Sequence, residues 1–136
     1  MNELNKIEHI GIAVEDLAES IKNYEVILRT PCYKTEVVES EFVKTAFFRV
    51  GDSKIELLQA IDDRGPIYNF ILKRGEGIHH IAYEVKDIRK AMERFKNDGF
   101  RLVSEEPKVG ADDKLVCFIH PKDTNGVLTE LVQAIN

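Results

Sequence analysis

The chain says nearly the same thing twice. The segment KIEHIGIAVEDLAESIKNYEVI (6–27) returns 71 places later as GIHHIAYEVKDIRKAMERFKND (77–98). His9 falls on His80, Ile10 on Ile81, Val14 on Val85, Asp16 on Asp87, Leu17 on Ile88, Ile21 on Met92 and Tyr24 on Phe95. IELLQA (55–60) returns as TELVQA (129–134), 74 places on, and sets Glu56 on Glu130; three additional residues in the second half absorb the difference. Two matches in the same order with nearly equal offsets argue against chance. A repeat of this kind is the first thing a fold must satisfy, because each copy is one structural unit that has to be built the same way.

Each copy reads as βαβββ. IEHIGIAV (7–14) is short and rich in β-branched residues, a strand. Asp16 then offers an N-cap with Glu19 three residues on, and Leu17, Ile21, Tyr24 and Leu28 recur at helical spacing, which predicts an amphipathic helix over 16–29 ended by Pro31. YKTEVVE, FVKTAFFRV and KIELLQA are three extended stretches, with GDS (51–53) as the turn between the last two. In the second copy HHIAYEV is the strand. Asp87 caps a helix with Ile88, Met92 and Phe95 on its apolar face and Gly99 at its end. FRLVSEE, KLVCFIH and GVLTELVQ are the following strands, and PKVGADD and PKDTNG are turns. The expected fold is α+β: tandem duplicated βαβββ modules forming a curved mixed sheet around a metal-binding cleft. It is one domain over 1–136, with module one at about 5–62, a linker with a short helix at about 64–76 carrying Ile67, Phe70 and Ile71, and module two at about 77–136.

The repeat also selects four residues that carry chemistry: His9, Glu56, His80 and Glu130. Each copy supplies one histidine from its first strand and one glutamate from its last. If those strands are neighbours, all four side chains can converge. Two imidazoles and two carboxylates suit a divalent ion such as Zn, Co, Ni, Mn or Fe, and four protein ligands in an octahedral shell leave two positions for substrate. A structural zinc site would use cysteines at paired spacing, and Cys32 and Cys117 have none. A single histidine on a half-buried strand is ordinarily a core or surface residue; the doubling is what singles these out. Strand alternation sends His79 to the face opposite His80, so His79 has no part in the site.

Composition narrows the partners. The net charge of −5 with no basic cluster disfavours nucleic acid. No apolar run is long enough for a membrane span, and the opening MNELNKIEHI lacks the apolar core of a signal peptide. With two cysteines in unrelated contexts, the expectation is a cytoplasmic protein with free thiols.

These residues resemble the vicinal oxygen chelate superfamily, which groups glyoxalase, bleomycin resistance and dioxygenase proteins. Within it the chain is most similar to the methylmalonyl-CoA epimerase family. The likeness lies in KIEHIGIAVEDL, VGDSKIELLQ, PIYNFILKRGEGIHHIAYEV, EEPKVGADDK and FIHPKDTNGVLTEL, which together span nearly the whole sequence. The resemblance implies His9, Glu56, His80 and Glu130 as ligands of one divalent metal ion (Co, Mn, Zn or Ni), an acyl-CoA substrate, and a homodimer. It implies interconversion of (R)- and (S)-methylmalonyl-CoA through an enolate, with Glu130 as a catalytic acid/base. His120 and Lys122 in HPKDTNG are candidates for binding the substrate carboxylate or thioester end, and Gly126 allows a tight turn. The resembled enzymes carry a further glutamate in this region, and Thr45 falls close to its position here; Glu39 and Glu41 are nearby candidates, and transfer through water is the alternative. The competing readings are lactoylglutathione lyase (glyoxalase I) and a non-catalytic small-molecule-binding protein of the same fold. An extradiol dioxygenase fits less well, since it carries a His, His, Glu set on a longer chain.

Overall fold

The computed structural model describes residues 3–135. The fold is α+β and contains two compact units: one comprises His9–His79, and the other comprises the chain up to Glu8 together with His80 onward.

In the unit His9–His79, strand β1 (Leu4–Ala13, of which the residues from His9 belong here) leads into helix α1 (Leu17–Leu28). Asp16 caps α1 as its residue type demands: its Oδ1 accepts from the Glu19 N–H at 3.1 Å. The helix ends at Arg29 in the left-handed region (φ 51°). Strands β2 (Lys34–Val38), β3 (Val43–Val50) and β4 (Ser53–Ala60) follow, and helix α2 (Gly65–Arg74) carries Pro66 in its first turn, where a missing N–H costs nothing. The strand order is β2-β3-β4-β1, antiparallel except for the parallel β1/β4 pair. One face of this sheet carries Ala46, Phe48 and Leu57, and Ile21, Tyr24 and Leu28 of α1 pack on it. The predicted apolar stripe of α1 is therefore the stripe that is used.

The other unit repeats the plan with β5 (Gly77–Val85), α3 (Ile88–Asn97), β6 (Lys108–Val109), β7 (Lys114–Ile119) and β8 (Thr129–Ala134), in the order β5-β8-β7-β6. Asp87 Oδ1 caps α3 through the Lys90 N–H at 3.1 Å. Ile88, Ala91, Met92 and Phe95 bury against Cys117, Ile119 and Leu131. Leu4 joins this core, and Glu3 accepts from Arg94 at 2.6 Å, which holds the first residues of β1 to this unit.

The structure corrects one predicted strand. FRLVSEE (100–106) forms a single bridge, Leu102 to Ile119, and the short strand β6 lies instead within the predicted turn PKVGADD. The reason is local competition for hydrogen bonds. The Arg101 N–H donates to Asp123 Oδ2 at 2.8 Å rather than to a neighbouring strand, and Ser104 Oγ donates to the Glu106 carbonyl at 2.9 Å.

Candidate active site

The registers of the two parallel pairs place the selected residues. Gly11 stands opposite Glu56 on β1/β4, and Ala82 stands opposite Glu130 on β5/β8. In each unit the histidine precedes that opposite residue by two positions, so histidine and glutamate project from one face of their sheet. His9 Nε2 lies 3.6 Å from Glu56 Oε2, and His80 Nε2 lies 3.1 Å from Glu130 Oε1. All four residues are only 5–6% exposed. The face is opposite to the one that packs on the helices, since Leu57 and Leu131, next in sequence to the glutamates, are core residues.

Surrounding residues fix these side chains. Phe47 and Phe118 stand directly across from Glu56 and Glu130 on the next strand, and the Phe118 ring meets His80 edge-on at 5.9 Å. Two glutamines, quoted in the repeat but given no role by sequence reasoning, tie strand to helix. Gln59 Oε1 accepts from the Leu17 N–H at 2.6 Å, and Gln133 Oε1 accepts from the Ile88 N–H at 2.7 Å. Each glutamine sits three residues after its glutamate and satisfies a first-turn N–H that the helix itself cannot. The end of the glutamate strand is thereby pinned to the helix that follows the histidine strand. Their signal was in the sequence, since both glutamines are doubled, but a cap reached across space has no fixed spacing to recognise.

The HPKD turn is built as a rigid corner. Pro121–Asp123 is a single 3-10 turn, and His120 Nδ1 accepts from the Lys122 N–H at 3.2 Å. With Nδ1 accepting, Nε2 is the ring's donor nitrogen. Arg101 donates to Asp123 through its backbone N–H and, at 3.0 and 2.8 Å, through its guanidinium, which holds the Asp123 carboxyl down at about 2. Gly126 (φ 84°) donates its N–H to the Pro121 carbonyl at 2.8 Å and closes the corner, as its conformational freedom allows.

Glu39 and Glu41 fall on a 3-10 turn between β2 and β3, Glu39 exposed and Glu41 half-buried. Thr45 is buried on β3, on the same face as Phe47, and its hydroxyl lies 3.4 Å from the Glu36 carbonyl. Cys117 is a core thiol whose pKa burial pushes up, and both cysteines are free. Lys54, which sequence reasoning passed over, is buried on the same face as His9 and Glu56.

The donor chemistry fits a divalent cation. Removing carboxylates from water is costly, several kcal/mol each, unless opposite charge or hydrogen bonds offset it. Here two buried glutamates each stand beside an imidazole nitrogen, an N/O set suited to Zn, Co, Ni or Mn.

Two βαβββ repeats, each setting an imidazole beside a carboxylate on parallel strands, define a duplicated scaffold with paired metal-type donors. Residues 8–118 match the model of the Glyoxalase/Bleomycin resistance protein/Dioxygenase superfamily, and the chain belongs to that superfamily. It is 40% identical over 132 residues to an ethylmalonyl-CoA/methylmalonyl-CoA epimerase of Cereibacter sphaeroides, covering 96% of this chain and 98% of that one. It superposes with a TM-score of 0.94 on the crystal structure of methylmalonyl-CoA epimerase from Mycobacterium tuberculosis, at 33% identity and covering 98% of this chain and 91% of that one. It superposes with a TM-score of 0.93 on a variant of the Streptomyces coelicolor methylmalonyl-CoA epimerase in complex with 2-nitronate-propionyl-CoA, at 34% identity and covering 96% and 95% of the two chains.

Proposed function

We propose that the chain is a metal-dependent methylmalonyl-CoA epimerase, an isomerase that inverts the carbon between a thioester and a carboxylate. The observation that carries this reading is the doubled His–Glu pair, His9 with Glu56 and His80 with Glu130, in a chain whose near-full-length relatives bear that name. We assign the four residues as ligands of one divalent ion, with Co, Mn, Zn and Ni all compatible with the donor set. When bound, such an ion supplies electrostatic stabilisation of the negative charge that develops on the thioester oxygen as the α-proton leaves.

The remaining work falls to the protein. Glu130 is assigned as one proton-transfer group; its carboxylate is buried, held by register opposite Phe118, and next to His80. Positioned proton transfer of this kind contributes about 10²–10⁴-fold. Thr45 cannot serve as a carboxylate base, so the opposite face is served by another carboxylate, with Glu41 the less exposed of the two sequence candidates, or by water. His120 and Lys122 are assigned to the acyl-CoA substrate: the His120 ring, its Nδ1 engaged by the Lys122 N–H, offers Nε2, and the Arg101–Asp123 pair fixes the corner on which both stand. The reading includes a cytoplasmic homodimer; among the described residues no helix is long and apolar enough to cross a membrane.

Incubation of the purified protein with methylmalonyl-CoA in deuterated water tests the reading. The expected result is deuterium at the substrate α-carbon, lost in Glu130→Gln, with about one divalent ion per chain by elemental analysis. Exchange absent from the wild-type protein, with turnover of methylglyoxal and glutathione in its place, would transfer the assignment to glyoxalase I.

A further inference from the structure

Inversion at a carbon needs a proton-transfer group on each side, and the strand register of the unit His9–His79 singles out one carboxylate for the second side. Cross-strand partners in an antiparallel pair project from the same face. Glu56 of β4 stands opposite Phe47 of β3, and Phe47 stands opposite Lys34 of β2, so the three form one row across the sheet. Two residues along β3 and β2, Thr45 stands opposite Glu36 in the next row on that face. Glu36 is therefore a carboxylate on the face that carries His9 and Glu56. It lies two residues from the row of Glu56, about 7 Å along the strand. Glu39 and Glu41 are on the turn beyond the Val38–Val43 pair, which is already four residues, about 13 Å, from that row.

The side chain also leans toward that row. Glu36 Oε1 is 3.6 Å from Lys34 Nζ, and that nitrogen is 5.3 Å from the Phe47 ring centroid, so the carboxylate is drawn along β2 toward Phe47 and Glu56. Directly across from Glu36 stands Thr45, a short side chain whose hydroxyl lies 3.4 Å from the Glu36 carbonyl. With one strand between them and two residues along, the Cα positions of Glu36 and Glu56 are roughly 12 Å apart. Two glutamate side chains and a small acyl group fill a gap of that size. Stability gives little reason for the placement, since a half-exposed ion pair such as Lys34–Glu36 contributes only about 0.2–1 kcal/mol. On the epimerase reading given above, we propose that Glu36 is the second proton-transfer group, serving the face of the α-carbon that Glu130 does not. In one direction Glu36 takes the α-proton as the C–H bond breaks, and protonated Glu130 gives its proton to the opposite face of the carbanion. In the other direction the roles are exchanged. Each turnover leaves the two carboxyls with their protonation swapped, and exchange with solvent resets them.

Removing one of two proton-transfer groups leaves a signature that a structural defect does not. The test gives (2R)- and (2S)-methylmalonyl-CoA separately, in deuterated water, to wild type, Glu36→Gln and Glu41→Gln, and measures α-deuterium by mass spectrometry and configuration by chiral analysis of the recovered acid. Glutamine keeps the shape of the side chain at a half-buried position of an edge strand, and elemental analysis of the variants checks that their metal content matches wild type. Glu36→Gln should lower epimerisation about 10²–10⁴-fold, equally in both directions because the substrate fixes the equilibrium constant. Exchange should become one-sided: the epimer whose α-proton faces Glu130 keeps taking up deuterium with retention of configuration, and the other epimer takes up none. Equal loss of exchange for both epimers, no loss for either, or the one-sided pattern in Glu41→Gln in place of Glu36→Gln overturns the assignment and leaves the epimerase reading standing. A wild-type protein that neither exchanges nor inverts either epimer overturns both.

Discussion

His79 and His80 are adjacent in sequence and do different work. The His79 ring lies edge-on to Phe70 of α2 at 5.1 Å and is half-buried, while His80 is buried beside Glu130. His80→Ala is therefore expected to remove metal binding and lower exchange activity by several orders of magnitude. His79→Ala loses the edge-on contact with Phe70, worth about 0.5–1.5 kcal/mol, and keeps the activity; elemental analysis and the deuterium assay on the two variants check this. Asp123 gives a pH prediction. Arg101 lowers its pKa from 3.8 to about 2 in the folded protein. A lowered acid favours the folded state above the unfolded pKa, and that contribution disappears as pH falls from near 4 through 2. In wild type, acid melting should carry a component in that window that Asp123→Asn lacks, read by circular dichroism. The ligand candidates were legible because they are doubled, and the same filter hid Lys54. A repeat shows only what both copies share, so a residue whose counterpart is Leu128 looks like an ordinary strand lysine.

Helices were read more accurately than strands, for a physical reason. A cap and a 3.6-residue stripe are local, so Asp16 with Leu17, Ile21 and Tyr24 announces α1, and Asp87 with Ile88, Met92 and Phe95 announces α3. A strand exists only through its neighbour. FRLVSEE has the composition of one, but Asp123 takes the Arg101 N–H, and the pairing is reduced to one bridge. The α2 junction carries a constraint of the same non-local kind. Gly65 opens the helix with φ 92°, and a Cβ there would come within 3.0 Å of the Glu41 carbonyl and 3.1 Å of Phe42. Both the backbone conformation and the close approach exclude a side chain. Gly65→Ala should lower stability by about 1–3 kcal/mol through strain at that residue, measured as a fall in urea midpoint at constant slope. Gly75→Ala, where nothing lies within 4 Å of the added Cβ, should cost less, because its φ of 77° is the sole penalty.

At the scale of the whole molecule, duplication has an energetic consequence that separates one shared ion from two independent sites. Each copy alone offers a single imidazole and a single carboxylate, too few donors for a tightly held divalent ion, whose sites draw on three or more protein ligands. If the copies serve one ion, neither pair binds without the other. Ligand binding to the native state alone stabilises it by RT ln(1 + [L]/Kd), about 2.7 kcal/mol at a hundredfold excess over Kd. For a chain of this size each kcal/mol moves the melting temperature by roughly 2–4 °C. Removing metal from the wild-type protein should therefore lower its melting temperature by about 5–10 °C under those conditions. His9→Ala and His80→Ala should each abolish the whole metal-dependent shift, and the double variant should lose no more than either single one. Independent sites would behave additively: each single variant would keep about half of the shift, and elemental analysis would give two ions per wild-type chain instead of one. Non-additivity of that kind is the thermodynamic mark of residues that act on one ligand, and differential scanning fluorimetry across the three variants, with and without chelator, reads it directly.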